Sequence, residues 1–448
     1  AGPGGLTLAN ALRRKGISCK VYERNVRTLS AVGGGFALAS GRDWLEQLGF
    51  GDALARITTP LRFMRILDIE GNQLGRLSLE LPGSEERIGG HLAVGVTRSV
   101  LVNMLADKLE DDVLKLGWEL KDIASNADGS VRAKFSVKQA DGTFKAEEVS
   151  GSVIVGCDGI HSRVRQLMHG PRVLGDTRQS CWLLLKRDIK TSEFDYTDQE
   201  NQCINLVATG KKSNIGFVGY TTTPGNYEFA HAFKVDVARG GERWESGAYK
   251  GEDFKRRAIE KMKAAPRELG EFADRANPDD FIQVSIMDAL SSIGASWHIG
   301  RVGILGDAAH APIPTAGQGC NSAVGDGACL AKYLAWALQQ PDGRHEEAIS
   351  AAFKLFHHER VDFCEKIITQ GRLLTNKWSN MVLPQTADSV DSALEEWLQR
   401  LAIKALQGMF DYLPGVVANG AVQEFKEGCG KVDLDNEQVD LIELSRDL

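Results

Sequence analysis

The residue types best suited to chemistry fall in one stretch, 302–327, which reads Val-Gly-Ile-Leu-Gly-Asp-Ala-Ala-His-Ala-Pro-Ile-Pro-Thr-Ala-Gly-Gln-Gly-Cys-Asn-Ser-Ala-Val-Gly-Asp-Gly. A short apolar run ends at Gly306-Asp307. A Pro/Gly loop follows, and then a small-residue segment that reads as the start of a long helix. Strand, acidic tip and helix N-terminus, in that order, suit a large anionic cofactor laid along a sheet edge. A carboxylate accepts hydrogen bonds from a polyol. Glycines let backbone approach a flat ring, and a helix end favours negative charge there by about 0.3–2 kcal/mol.

Two further groups point the same way. The chain opens Ala1-Gly2-Pro3-Gly4-Gly5-Leu6, in which Gly2 and Gly5 fit the second and third glycines of G-x-G-x-x-G. A helix over Leu6–Lys15 and a strand over Ser18–Glu23 are expected next. This is the βαβ order of a dinucleotide-binding fold, and Glu23 would accept from adenosine ribose hydroxyls. The first glycine and its strand would then lie upstream of Ala1, so the chain reads as N-terminally truncated. The third group is a buried strand, Val153-Ile154-Val155-Gly156, which delivers Cys157-Asp158-Gly159-Ile160-His161-Ser162-Arg163-Val164-Arg165.

These motifs carry a resemblance. The 302–321 stretch resembles the G-D-A-A-H-x-x-x-P-x-x-G-x-G motif of single-component FAD-dependent aromatic hydroxylases. These class A flavoprotein monooxygenases include para-hydroxybenzoate, kynurenine, salicylate and zeaxanthin-type enzymes. Gly306, Asp307, Ala308, Ala309, His310 and Pro314 are in register, with Gly317, Gln318, Gly319 and Asn321 following. Asp158, Gly159, Ser162, Val164 and Arg165 match the family's D-G-x-x-S-x-V-R, and Arg98 falls at the helix start where the family sets an Arg against FAD. The likeness covers roughly residues 1–375. It departs at Ala39-Ser40-Gly41, where relatives often have Pro-Asn, and at Gly325-Asp326, where many have Glu-Asp.

The resemblance implies a reaction. NADPH or NADH would reduce FAD, and O2 would add at flavin C4a to give a hydroperoxide. That species would hydroxylate or epoxidise a small aromatic, isoprenoid or otherwise electron-rich substrate. Cofactor contacts would come from Gly2, Gly5, Glu23, Arg98, Asp158, Gly159, Gly306, Asp307, Pro314, Gly317, Gln318, Gly319 and Asn321, with Pro314, Gly317 and Gly319 shaping the oxygen site. No protein nucleophile or metal is needed, and no Ser/His/Asp elbow, H-E-x-x-H or Cys/His zinc spacing is present. Two alternatives stay open: an FAD-dependent reductase or cyclase of the same fold, and a degenerate flavin-binding protein without activity. A halogenase is disfavoured, since W-x-W-x-I-P is absent.

The elements that must position these groups imply an α/β chain. The expected architecture is a Rossmann-like FAD-binding domain (1–60, 92–172 and 295–375), an antiparallel β-sheet substrate domain (61–91 and 173–294) and a helical C-terminal region (376–448). Hairpins are expected over 118–150 with turns at Asp128-Gly129 and Asp141-Gly142. Short alternating strands from 173 to 290 would offer one packed face and one free for a ligand. Long helices are expected over Gly327–Gln339 and His345–Gly371, and another over Phe254–Ala276. His231, Trp182 and Tyr220 fall on sheet strands, where each is as well explained by packing as by substrate contact.

Bulk properties agree. With 448 residues, 43% hydrophobic and 25% charged, the chain has material for two or three domains. A net charge of −7 without a basic stripe argues against nucleic acid as a partner. The eight cysteines form no C-x-x-C, so reduced thiols in an intracellular, cytoplasmic setting are expected. No run of 18 apolar residues suggests a transmembrane helix.

Overall fold

The computed structural model describes residues 1–26, 34–67, 73–79, 93–110, 112–172, 174–184, 203–208, 215–222, 227–234, 281–289, 293–314, 317–341 and 345–380. The expected helix at 254–276 and the C-terminal region beyond 380 lie outside these residues.

Helix α1 (Pro3–Arg14) is capped by Gly2 and has proline at its first position. That placement suits proline, whose missing N–H falls among the unbonded donors of a first turn. Strand β1 (Val21–Glu23) follows and pairs in parallel with β7 (Leu114–Leu116). The β7 strand was not apparent in the sequence because three residues carry no periodic signal. A small antiparallel sheet, order β2-β6-β3, joins Gly35–Leu38, Ala93–Thr97 and Thr59–Leu61. Helices α2 (Ser40–Gln47), α3 (Gly51–Ile57) and α4 (Arg98–Ala106) lie beside it in sequence.

The hairpins form as expected. Strands β8 (Trp118–Ser125), β9 (Val131–Lys138) and β10 (Phe144–Gly151) make an antiparallel sheet. At each turn an aspartate holds the chain: Asp128 accepts from Ser130 N–H at 2.9 Å and Asp141 from Thr143 N–H at 2.9 Å. The inward face of β9 places Phe135 against Tyr22 and Trp118.

Strand β11 (Ile154–Gly156) pairs in parallel with β18 (Val302–Ile304), which pairs with β17 (His298–Ile299). The Asp158 segment and the Asp307 segment therefore leave the same end of two adjacent parallel strands, the usual seat of ligands in such sheets. Helix α5 (Arg163–His169) follows the first; α6 (Asp307–His310) and the 20-residue α7 (Gly319–Leu338) follow the second.

A seven-stranded sheet has order β16-β12-β15-β14-β13-β4-β5. Strands β12 (Gly175–Leu184), β13 (Cys203–Ala208), β14 (Ile215–Thr221), β15 (Tyr227–Lys234) and β16 (Phe281–Asp288) supply five, with β4 (Phe63–Leu67) and β5 (Gln73–Ser78) at one edge. All neighbours run antiparallel except β13 and β4. Strand β12 carries a bulge between Asp176 and Gln179. Trp182 lies directly opposite His231 in register.

Helix α8 (His345–Asn380) closes the described chain. Its Phe353 and Phe356 share a core with Leu8, Leu12, Trp297, Ile304, Leu330 and Leu334. Helices α1 and α7 cross at near-backbone contact. A Cβ on Gly327 would lie 2.5 Å from the Gly4 carbonyl oxygen, and one on Gly4 would lie 2.7 Å from the Ala323 oxygen. No helix among the described residues is long and apolar enough to cross a membrane.

Candidate cofactor site

Asp307 stands at the tip of β18, one residue after Gly306, whose φ of 60° and ψ of −142° suit glycine alone. Its carboxylate is open to solvent, yet burial among surrounding groups raises its pKa. His310, Arg98 and Arg172 each oppose that rise. Asp307 Oδ1 sits 4.0 Å from the position of a Cβ on Gly319, so the carboxylate lies against the first turn of α7.

The N-terminus of α1 has no acidic residue in its first turn, and its cap Gly2 faces the Arg98 guanidinium. Open N–H groups beside an arginine suit a phosphate. Gly5 does other work: a Cβ there would lie 3.0 Å from Cys157 Cβ, so it lets α1 approach the end of β11. Burial pushes the Cys157 thiol up to about 12. Glu23 accepts from Asn25 N–H at 3.0 Å.

Two of the residues expected to contact the cofactor also anchor the surrounding backbone. Asp158 accepts from Ser162 Oγ (2.5 Å), Arg163 N–H (2.6 Å) and Val164 N–H (3.1 Å), while Ser162 Oγ accepts from Arg165 N–H at 2.9 Å. The aspartate thus builds the start of α5. What this turn leaves open is Gly159, with φ of 81° and empty space where a side chain would stand. Asn321 is likewise committed. Its Oδ1 accepts from Ala39 and Gly41 N–H at 2.8 and 3.0 Å, and its Nδ2 donates to Ala37 and Gly317 carbonyls at 3.0 and 3.2 Å. With all four bonds made within the chain, the side chain sews the 317–321 loop to β2 and α2 and does not reach out.

The loop itself fits a flat, polar-edged group. Gly317 has φ of 62° with open space at its Cβ position, and its N–H donates to Pro314 O at 2.8 Å; both residues are exposed. Gln318, the cap of α7, is 4% exposed, and among the described residues neither atom of its side-chain amide has a hydrogen-bond partner. Buried amides are normally satisfied, so a donor–acceptor group placed at this helix start answers an otherwise costly vacancy. Open glycines, an orphaned amide, an exposed carboxylate and helix N-termini together fit a dinucleotide with a polyol and a flat ring.

Sequence reasoning missed Arg172, because nothing in its local pattern marks it. Its Nη1 donates to the Ile160 and Asp307 carbonyls at 3.3 and 3.0 Å, and its Nη2 to Ala309 O at 3.1 Å. One guanidinium therefore ties both motif loops together; burial lowers its pKa to about 10. Ala289 N–H donates to Ala311 O at 2.9 Å, which joins the end of β16 to the same loop.

His310 is buried beneath the loop. Its ring packs on Trp297 at 5.0 Å, and its Nε2 lies 2.5 Å from Asp326 Oδ2. Burial alone would lower the histidine's pKa, but Asp326 holds it well above its ordinary value. Conversely, His310 and Arg360 outweigh burial and bring Asp326 to about 2. Cys364 completes a His/Asp/Cys cluster. The contact of 2.5 Å has room for a proton only, because ligands held at about 2.0–2.2 Å from one ion stand farther apart.

The chain belongs to the FAD binding domain family, whose match runs over residues 1–370. The family sets FAD as the cofactor and monooxygenation as the reaction class. Among curated relatives, an aurachin C monooxygenase/isomerase of Stigmatella aurantiaca is 27% identical over 387 residues, covering 85% of this chain and 88% of its own length. An FAD-dependent urate hydroxylase of Klebsiella pneumoniae is 25% identical over 383 residues, covering 83% and 87%. The crystal structure of Klebsiella pneumoniae HpxO with FAD and uric acid shares the fold at a TM-score of 0.67, with 20% identity and 95% of this chain and 94% of that one covered. PqsL of Pseudomonas aeruginosa, in complex with 2-aminobenzoylacetate, gives 0.63 at 19% identity over 85% and 95%.

Proposed function

We propose that this FAD-dependent monooxygenase uses NAD(P)H and O2 to hydroxylate or epoxidise a small electron-rich organic molecule, and that an aromatic ring is the favoured target. The observation that carries this reading is the Asp307 carboxylate set against the first turn of α7, with the orphaned Gln318 amide beside it. Relatives and neighbours named for urate, 2,6-dihydroxypyridine and 2-aminobenzoylacetate support a small polar substrate class.

FAD, when bound and reduced, supplies the oxygen chemistry. The chain's own residues do the rest. Asp307 would accept from the ribityl hydroxyls, and Glu23 from the adenosine ribose. Gly2 and Arg98 would hold the pyrophosphate between a helix start and a guanidinium. The N–H groups at 318–319 would stabilise negative charge on the reduced ring, where a fixed dipole needs no reorganisation. Pro314, Gly317 and Gly319 would wall the oxygen site against water. The seven-stranded sheet would supply the substrate face. The free thiols Cys19, Cys157, Cys320, Cys329 and Cys364 suit a reducing, cytoplasmic setting.

The test is direct. The purified chain is loaded with FAD, its flavin spectrum is recorded, and aromatic compounds are screened for stimulated NADPH and NADH oxidation under labelled O2. One product carrying a single labelled oxygen is expected. A tightly bound flavin that no compound stimulates would favour the reductase or non-catalytic reading.

A further inference from the structure

Helix α8 reaches the cofactor site from behind. Arg360, 1% exposed, donates from Nε to Asp326 Oδ1 at 2.7 Å and from Nη2 to Ser322 O at 3.2 Å. The other oxygen of Asp326 takes Gly306 N–H at 2.8 Å and the His310 ring at 2.5 Å. One fully buried carboxylate therefore joins a helix from the far end of the fold to the glycine that turns the chain into Asp307.

Two observations make this more than a packed ion pair. Gly306 holds a backbone conformation that needs external support, and the Asp326 oxygen is the acceptor for its N–H. In addition, a Cβ on Gly325 would come within 3.1 Å of Trp44 Nε1 and 3.3 Å of Arg360 Nη2. The guanidinium and the indole thus occupy the room that a side chain at 325 would need. The departure from Glu-Asp at 325–326 is matched by an arginine arriving from α8.

We infer that Arg360 is a positioning residue for the cofactor: through Asp326 and Gly306 it fixes the turn that presents Asp307 to FAD. This rests on the reading of Asp307 as an FAD ligand. A buried ion pair can often be replaced by apolar residues at no cost in stability, whereas removing one partner leaves a costly charge. Apolar residues can fill the space but cannot accept the Gly306 N–H. Stability and cofactor binding should therefore separate.

The experiment measures thermal stability of the apo-protein and FAD affinity by flavin fluorescence quenching, with visible circular dichroism of the bound flavin. The variants are Arg360→Met, Arg360→Lys, the pair Arg360→Met with Asp326→Leu, and Asp307→Ala. Arg360→Met should weaken FAD binding by about 10- to 100-fold, the scale on which metal affinity falls when groups that orient metal-ligating residues are lost. The double variant should regain much of the stability but not the affinity, and its flavin dichroism should differ from wild type. Arg360→Lys keeps the charge and covers the case in which the methionine variant does not fold; it should bind FAD more weakly than wild type. FAD affinity that recovers with stability in the double variant, or wild-type affinity and dichroism in Arg360→Lys, would overturn the inference while leaving the cofactor site intact if Asp307→Ala still loosens FAD. Unchanged affinity in Asp307→Ala would instead remove the reading on which it stands.

Discussion

Gly327 sits in the middle of α7, where helix propensity alone favours alanine over glycine by about 1 kcal/mol. The structure demands the opposite sign. A Cβ at 327 would lie 2.5 Å from Gly4 O, 2.8 Å from Leu8 N and 3.1 Å from Thr7 Cβ. The first two are backbone atoms of α1, so no rotamer change relieves them. Restoring contacts of about 3.5 Å would require the two helices to part by roughly 1 Å. Overpacking of this kind costs about 1–3 kcal/mol, which exceeds the propensity gain. Gly327→Ala should therefore be net destabilising by up to about 2 kcal/mol in urea unfolding. Because Gly4 lies two residues past Gly2, the same displacement moves the start of α1 and should loosen FAD. Gly325→Ala is the internal comparison: its Cβ would meet only the ends of Trp44 and Arg360 side chains, and its cost should be smaller. A Gly327→Ala protein more stable than wild type, with unchanged FAD affinity, would refute the reasoning.

Asp307→Asn should raise the stability of the apo-protein and lower its affinity for FAD. Burial raises the pKa of this carboxylate, so its charged form opposes folding, and the gain should be full at neutral pH and vanish as pH falls below the unfolded value of about 3.9. Thermal melts at pH 7 and pH 3.5 check this. Asp326, held at about 2, has the reverse sign: its contribution is complete above about pH 4 and is lost as pH falls toward 2. The double variant Asp326→Leu with Arg360→Met should lose less stability than wild type over that interval, as followed by acid titration of circular dichroism. Asn321→Ala strips the partners from Ala39 and Gly41 N–H and should cost about 1–3 kcal/mol or more, read by urea unfolding. Arg172→Met should release the Ile160, Asp307 and Ala309 carbonyls and raise the dissociation constant for FAD, measured by quenching.

Much of the site was legible because its signals are local. The order strand, acid, glycine loop and helix is written consecutively in 302–327, and the Asp-Gly turns at 128–129 and 141–142 name their own geometry. What stayed hidden depends on partners distant in sequence. Asn321 looks like a ligand of a cofactor, but its side chain bonds to the backbone of Ala37, Ala39 and Gly41, which the sequence does not show to be near. Arg172 and Arg360 act on motif loops more than 130 and about 35 residues away, with no spacing rule to reveal them. The three-residue β7 shows the same limit, since parallel pairing with β1 sets it and not its own pattern.

Asn321 grips Ala37, Ala39 and Gly41 across some 280 residues, and that distance has a consequence for how the protein comes into being. At a synthesis rate of about 5–20 residues per second, the early segments wait roughly 15–55 s before Asn321 emerges from the ribosome. Arg360 comes later still. Until then α1 has no α7 to cover its apolar face, and half a cradle stands exposed. Loading of the cofactor is thus a late event, open only to a chain synthesised past Asn321. Nascent chains stalled before residue 321 should engage chaperones through the uncovered face of α1, and should take up no flavin however long they wait.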